Sequence, residues 1–414
     1  MDKPFAPHAS REGHPDYEQH TRRESALYAR RDDIRSPYAR DYTRILHCLA
    51  YRRLKHKTQV FFNIDNDHIC TRMEHVQHVE SVSCTIAGHL GLNTDLTRAI
   101  AMGHDLGHAP FGHEGEIELT ALRKEYGMDP FWHERNSLRM IDCIELLEDN
   151  TGCYRNLDLT YAVRDGIISH CGEVDENGLI PRGEFIDLAD FTHPGQYNAC
   201  TWEGCVVKIA DKIAYLGRDI EDALRLRFLD EEDLRGLREI AQRHREAEIN
   251  TTVLIHNFII SICQNSTPET GIRLSEEYHE MLTEIKHFNL KHIYLNPKFG
   301  VYKKYVALIL RSLFEFLIGF YAGEATPERL LEKKSSYPLL TTDMAQHLYH
   351  YSAIRRPGEK GEEILRRYRN WKIYGHLETE QLYAQAILDY ISGMTDAYAL
   401  RVFNELLTYR SAPV

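Results

Sequence analysis

Apolar residues recur at helical spacing along almost the whole chain. Ile45, Leu46, Leu49, Ala50 and Leu54 predict a helix over 36–54. Val76, Val79 and Val82 predict another over 71–90, and Asn93-Thr94 open a third that runs to Gly107. Further amphipathic segments cover 116–126, 133–148, 158–170 and 201–227, then 230–246, 249–263, 274–288, 299–321, 326–335, 341–353, 359–372 and 377–408. Strand character occurs once, at 58–70, where β-branched and aromatic residues flank an Asn/Asp turn and predict a short β-hairpin. Residues 1–35 are polar and charged with Pro4, Pro7 and Pro15, and predict an extended arm or short helices. Residues 172–198, rich in Gly, Pro, Asp and Asn, form the longest loop; loops of that length in compact domains are usually lids or insertions. The pattern is that of an all-α protein.

Composition narrows the class. At 414 residues, 43% hydrophobic and 27% charged, the chain has ample core and no disordered signature. The most apolar run, 306–321, is interrupted by Arg311 and Glu315, which argues against a membrane span. Met-Asp-Lys-Pro-Phe lacks the pattern of a signal peptide, so the expected location is cytoplasmic. Nine cysteines without a C-x-x-C pair then read as reduced core residues. A net charge of −12 argues against a general nucleic-acid binder but leaves room for a small anionic substrate met by local cations and a metal.

The chemistry concentrates in the stretch from Ile100 to Glu116, where His104-Asp105, His108 and His113 fall within ten residues. His104 and His108, four apart, share a helix face and can point into the same cavity, and Pro110 ends the helix and turns the chain so that His113 can return. Three imidazoles and a carboxylate suit a divalent metal that keeps positions open for water. A histidine-rich surface turn is the competing reading, against which stand the packed Leu-Gly and Pro-Phe-Gly around these residues. His75, beside Val76, Val79 and Val82, reads on its own as a core histidine. Asp211, inside the apolar run 206–216, reads either as an ion-paired carboxylate or as a metal ligand, and Tyr215 and Asp219 follow on its side of the helix.

His75, then His104-Asp105, then Asp211 is the H…HD…D order of the HD phosphohydrolase superfamily, which this sequence resembles. Five stretches more closely resemble the dGTPase-type deoxynucleoside triphosphate triphosphohydrolases. They are Leu54-Lys-His-Lys57-Thr-Gln59-Val-Phe, Thr71-Arg72-Met-Glu-His75, Gly103 through His113, Ala210-Asp-Lys-Ile-Ala-Tyr215 and Asp389-Tyr-Ile-Ser-Gly-Met-Thr-Asp396. With Arg23-Glu-Ser-Ala26 the resemblance runs from about residue 20 to 408. It implies an arm at 1–35, an HD helical bundle at 36–228 and extra C-terminal helices at 229–414 packed on that core.

The resemblance also implies roles. His75, His104, Asp105 and Asp211 would hold the metal (Mg²⁺, Mn²⁺ or iron), with His108, His113 and the His133-Glu134 pair beside the triphosphate. Arg72 and Lys212 would meet phosphate oxygens; Gln59, Tyr215 and Asp219 would meet the sugar. Trp132 to Ser137 carries the His-Glu-x-x-Ser form of vertebrate members, where many bacterial members read His-Asn-x-Gln-Ser. Read alone, His133-Glu134 begins a helix, Tyr215 is a core aromatic, Gln59 a strand-face residue and Arg72 a partner of Glu74. The expected reaction is water attack on the α-phosphorus, with His113 protonating the leaving 5′ oxygen and Glu134 tuning His108 or His133. A homo-oligomer, often a hexamer in the family, and a nucleotide effector are implied as partners. An HD nucleotidase or phosphodiesterase of other specificity, or a non-catalytic nucleotide sensor, are the competing readings.

Overall fold

A computed structural model describes residues 3–25, 33–61, 68–171, 176–244, 246, 249–356 and 366–408. The chain folds into two compact units that interleave in sequence. The first is built from Met1–Leu46, Gln59–Asp105 and Asp158–Gly300; the second from His47–Thr58, Leu106–Leu157 and Val301–Val414.

The first unit contains α1 (Tyr17–Thr21), α2 (Pro37–His47), α4 (Arg72–Leu90), α5 (Thr94–Gly103), α8 (Tyr161–Ile168), α9 (Trp202–Arg225), α10 (Glu231–Arg243), α11 (Thr251–Asn265) and α12 (Glu276–Asn289). Helices α4, α5, α8 and α9 pack on one another through Val76, Val79, Ile86, Ile100, Ile167, Val206 and Ile213, all essentially buried. A capping box starts α4: Thr71 N–H donates to Glu74 Oε2 at 2.7 Å, and Thr71 Oγ1 accepts from Glu74 N–H. The cap fixes where α4 begins, and so sets Arg72 in its first turn and His75 one turn on. Helices α5 and α8 touch at Gly166, where a Cβ would stand 2.5 Å from Ile100 Cδ1. The N-terminal residues are tied down: Phe5, Ala9, Ser10 and His20 are buried, and Arg23 donates to Asp41 Oδ1 at 2.6 Å.

The second unit contains α3 (Leu49–Arg53), α6 (Gly112–Glu125), α7 (His133–Arg139), α13 (Gly300–Ile318), α14 (Thr326–Glu332), α15 (Pro338–Tyr351), α16 (Glu380–Ser392) and α17 (Asp396–Leu407). Its two-stranded antiparallel sheet pairs β1 (Leu146–Glu148) with β2 (Tyr154–Asn156), Leu147 opposite Arg155. Arg139 donates to both carboxylate oxygens of Asp389, at 2.8 and 2.6 Å, and Tyr374 O–H donates to the same carboxylate at 2.7 Å. Asp396 accepts from the backbone N–H of Thr58 at 2.9 Å and of Phe111 at 2.8 Å. Phe111 takes a left-handed φ of 66°, and the carboxylate bond anchors that turn.

Apart from this sheet the fold is all-α. Several boundaries differ from the sequence pattern. Helix α5 stops at Gly103 instead of Gly107, so His104 and His108 do not share a helical face. Helix α6 starts at Gly112, four residues before the expected 116. The expected 133–148 helix ends at Arg139, becomes a π-turn over Met140–Ile144 and then a strand. The expected 377–408 helix is two helices, because Thr395 Oγ1 caps a fresh start by accepting from Tyr398 N–H. Residues 62–67 of the expected 58–70 hairpin and 359–365 of the expected 359–372 helix lie outside the described residues; the described flanks 58–61 and 68–70 form no strand, and 368–372 are not helical. Among the described residues no single helix is long and apolar enough to cross a membrane.

Candidate active site

The first unit gathers His75 from α4, His104 and Asp105 from the end of α5, and Asp211 from the middle of α9. His75 Nε2 lies 3.0 Å from Asp211 Oδ1 and 3.7 Å from Asp105 Oδ2. His104 Nε2 lies 3.5 Å from Asp105 Oδ1 and 3.8 Å from Asp211 Oδ1. Donor atoms about 2.1 Å from a shared ion stand about 3–4.2 Å apart, so these separations fit a single divalent metal. The His104 ring is oriented for it, because Nδ1 donates to Ala101 O at 2.6 Å and leaves the lone pair on Nε2. Burial pushes the Asp211 carboxyl up, but the hydrogen bond from His75 and the charges of His75, His104 and His170 outweigh it and hold it well below the usual carboxylate range. Burial alone would lower the His75 imidazole; its bond to Asp211 and the charge of Asp105 raise it instead. A cluster of this kind could hold a cation in place of the protons it otherwise shares.

Cations and polar acceptors surround the set within the same unit. Arg72 Nη1 donates to Asp105 Oδ2 at 3.0 Å, both groups buried. Lys212, next to Asp211 on α9, is also buried, and Tyr215 is half-buried one turn on. Asp219 accepts from Tyr294 O–H, and burial pushes its carboxyl up to about 7. Among the described residues, the buried Asp219 Oδ1 and Gln59 Oε1 have no hydrogen-bond partner.

The second unit holds a histidine cluster around Glu116. Glu116 Oε1 lies 2.5 Å from His108 Nδ1, and Oε2 lies 3.4 Å from His133 Nδ1 and 3.9 Å from His113 Nδ1. The His108 and His133 rings stack at 3.8 Å with 17° between planes. Glu116 is held well below the usual carboxylate range: burial opposes ionisation, but the charges of His108 and His133 prevail. Glu134 is buried with Oε2 3.6 Å from His133 Nδ1, while the His113 side chain is 60% exposed. The backbone beneath is locked. Ser137 Oγ accepts from Gly107 N–H at 2.8 Å, Asn136 Nδ2 donates to Gly107 O at 2.6 Å, and a Cβ on Gly107 would collide with Ser137 N at 2.0 Å.

The structure therefore brings His75, His104, Asp105 and Asp211 together with Arg72, and His108, His133 and Glu134 together around Glu116. Sequence reasoning passed over Glu116, His170 and Tyr294. Glu116 ended the histidine-rich stretch and lies eight residues from His108, a spacing that periodicity supports only if a helix is continuous. Nothing in the local pattern marked His170 or Tyr294.

Comparison with known proteins agrees with this geometry. Residues 72–216 match the HD domain, and 369–405 match the phosphohydrolase-associated domain. The chain is 33% identical over 388 residues to a deoxyguanosinetriphosphate triphosphohydrolase-like protein of Caldanaerobacter subterraneus subsp. tengcongensis, covering 93% of this chain and 89% of that one. It is 37% identical over 290 residues to the like-named protein of Desulfatibacillum aliphaticivorans (68% and 74% covered). For the like-named protein of Rickettsia bellii the identity is 30% over 393 residues (90% and 92% covered). The H…HD…D donors lie within the matched HD segment, and the chain belongs to the deoxyguanosinetriphosphate triphosphohydrolase-like family of HD-domain phosphohydrolases.

Proposed function

We propose that this protein hydrolyses deoxynucleoside triphosphates, dGTP among them, to a deoxynucleoside and inorganic tripolyphosphate. The observation that carries the reading is the meeting of His75, His104, Asp105 and Asp211 at 3.0–3.8 Å, with Arg72 bonded to Asp105. These residues would hold a divalent ion, Mg²⁺, Mn²⁺ or Fe²⁺, which supplies positive charge for phosphate oxygens and lowers the pKa of water.

The chain's own groups supply the rest. Arg72 and Lys212 spread the triphosphate's remaining charge. Gln59 Oε1 and Asp219 Oδ1, buried acceptors without a partner among the described residues, suit sugar hydroxyl donors, and Tyr215 lies against the same sugar. Water adds to the α-phosphorus, the bond to the 5′ oxygen breaks, and that oxygen takes a proton. We assign the donor to the His108–His133 pair, which faces the Glu116 carboxylate, with Glu134 steadying His133. Exposed His113 then serves triphosphate binding. A cytoplasmic homo-oligomer responding to a nucleotide effector completes the reading, and sizing with and without nucleotide checks that part.

The test is product analysis by phosphorus NMR, with each of the four deoxynucleoside triphosphates, Mg²⁺ or Mn²⁺, and an Asp105→Ala control. Tripolyphosphate plus deoxynucleoside, absent in the control, supports the reading. Pyrophosphate or single phosphates would assign another HD hydrolase activity, and absence of turnover with metal bound would assign a nucleotide sensor.

A further inference from the structure

The four-donor set leaves out a buried imidazole beside it. His170 follows the end of α8 in the first unit, is 1% exposed, and its ring centroid lies 4.9 Å from that of His104 with 80° between planes. Its Nδ1 donates to Ile167 O at 2.6 Å. That bond puts the proton on Nδ1 and the lone pair on Nε2, the same device that orients His104 through Ala101 O. Ligand atoms of His104, Asp105 and His170 lie within 4.8 Å of one another, as do those of His75, His104 and Asp211.

These two triplets share His104, whose Nε2 offers a single lone pair, so they cannot each hold an ion through it. A single ion shared by both triplets is the arrangement that uses that lone pair once. We propose that His170 is a fifth protein ligand of the metal centre, giving three imidazole nitrogens and two carboxylates around a six-coordinate ion with one position left for water or substrate. The inference rests on the metal reading above. It has a chemical consequence: a third imidazole disfavours Mg²⁺, which takes oxygen donors, and favours Mn²⁺, Fe²⁺ or Co²⁺.

The position of His170 is built into the fold. Ser169 N–H and Oγ–H both donate to Asp165 O, closing α8, and the contact of Gly166 with Ile100 holds that end against α5. The ring therefore reaches the centre from a helix that carries no member of the H…HD…D order.

The experiment loads the full-length protein with Co²⁺, counts the far-shifted exchangeable imidazole protons by paramagnetic NMR, and measures Co²⁺ affinity by calorimetry. His170→Asn keeps an amide donor for Ile167 O and removes the Nε2 position. The expected result is one bound ion per chain, one fewer imidazole signal in the variant, and affinity weakened at least about tenfold. His170→Gln, whose amide reaches toward the Nε2 position, carries the same count if the Asn variant fails to fold. An unchanged signal count and affinity, with Asp211→Ala losing the ion, would overturn the role of His170 while leaving the metal reading intact. A native protein that binds no stoichiometric ion would overturn both.

Discussion

His75 Nε2 and Asp211 Oδ1, brought together from α4 and α9, lie 3.0 Å apart in the buried centre of the first unit. Metal-free, the pair shares a proton: the imidazole is raised above its ordinary 6.5 and the carboxylate is depressed. A raised histidine stabilises the metal-free fold fully below the unfolded value of about 6.5 and loses that contribution as pH rises through the folded value. Metal must displace this proton. Calorimetry in buffers of different ionisation enthalpy will therefore record proton release on Mn²⁺ binding, and affinity that climbs from pH 6 to pH 8. Binding without proton release would rule out the pair as ligands.

Asp105 faces both the histidines and Arg72. Asp105→Ala removes a donor and the carboxylate that faces the buried Arg72 guanidinium. Metal affinity and tripolyphosphate release are expected to fall by more than about 100-fold, beyond the usual effect of an outer-shell change. Retained activity in a soluble, folded Asp105→Ala protein would sink the assignment of the centre.

Glu116→Gln keeps the shape of the histidine cluster but deletes its negative charge. If the His108–His133 pair donates the proton, kcat falls by about 100-fold or more. Loss of the counter-charge also makes the imidazolium easier to deprotonate, so the basic limb of the pH–rate profile moves to lower pH. His113→Ala, at an exposed position, should act mainly on KM. An unshifted profile in Glu116→Gln would argue against the donor assignment.

Asp219 carries a cost that function explains. Its carboxyl is pushed up to about 7 by burial, so the fold is favoured fully below the unfolded value near 3.8 and loses stability as pH rises towards 7. Asp219→Asn should raise the free energy of unfolding at pH 8 by at most about 4 kcal/mol, seen as a higher Tm, and change little at pH 4. The same variant should raise KM for deoxynucleotides, because it alters an acceptor assigned to the sugar. A higher Tm with an unchanged KM would remove Asp219 from the binding site.

The Arg139–Asp389 pair acts on stability alone. Its carboxyl is depressed: burial opposes ionisation, but the charge and hydrogen bonds of Arg139 prevail, so the stabilisation is present above about 3.8 and lost as pH falls. Asp389→Asn should cost about 3 kcal/mol, the low end for a broken buried pair because Arg139 keeps partial solvent contact. Denaturant unfolding at pH 7 will measure it; a change below 1 kcal/mol would show the pair to be neutral.

Much of the candidate site was legible because short motifs put metal-ligating types where an apolar pattern made them costly. Asp211 inside the run 206–216 was informative for that reason, whereas His75 beside three valines read as a core histidine until the H…HD…D order singled it out. The helix class was equally legible, since apolar periodicity is local. Boundaries were less so. The break before Asp396 depends on the Thr395 cap, and the left-handed turn at Phe111 on its N–H bond to Asp396, far away in sequence.

The sequence by itself determined the all-α class, the H…HD…D motif order and the family, because periodicity, residue type and motif order are properties of the chain. Only the tertiary structure decided that Glu116 pairs with His108, that Tyr294 meets Asp219 and that His170 stands beside His104. Each of these partners is fixed by how helices stack and where they stop, and a one-dimensional pattern does not encode the distance between side chains that packing alone brings within reach.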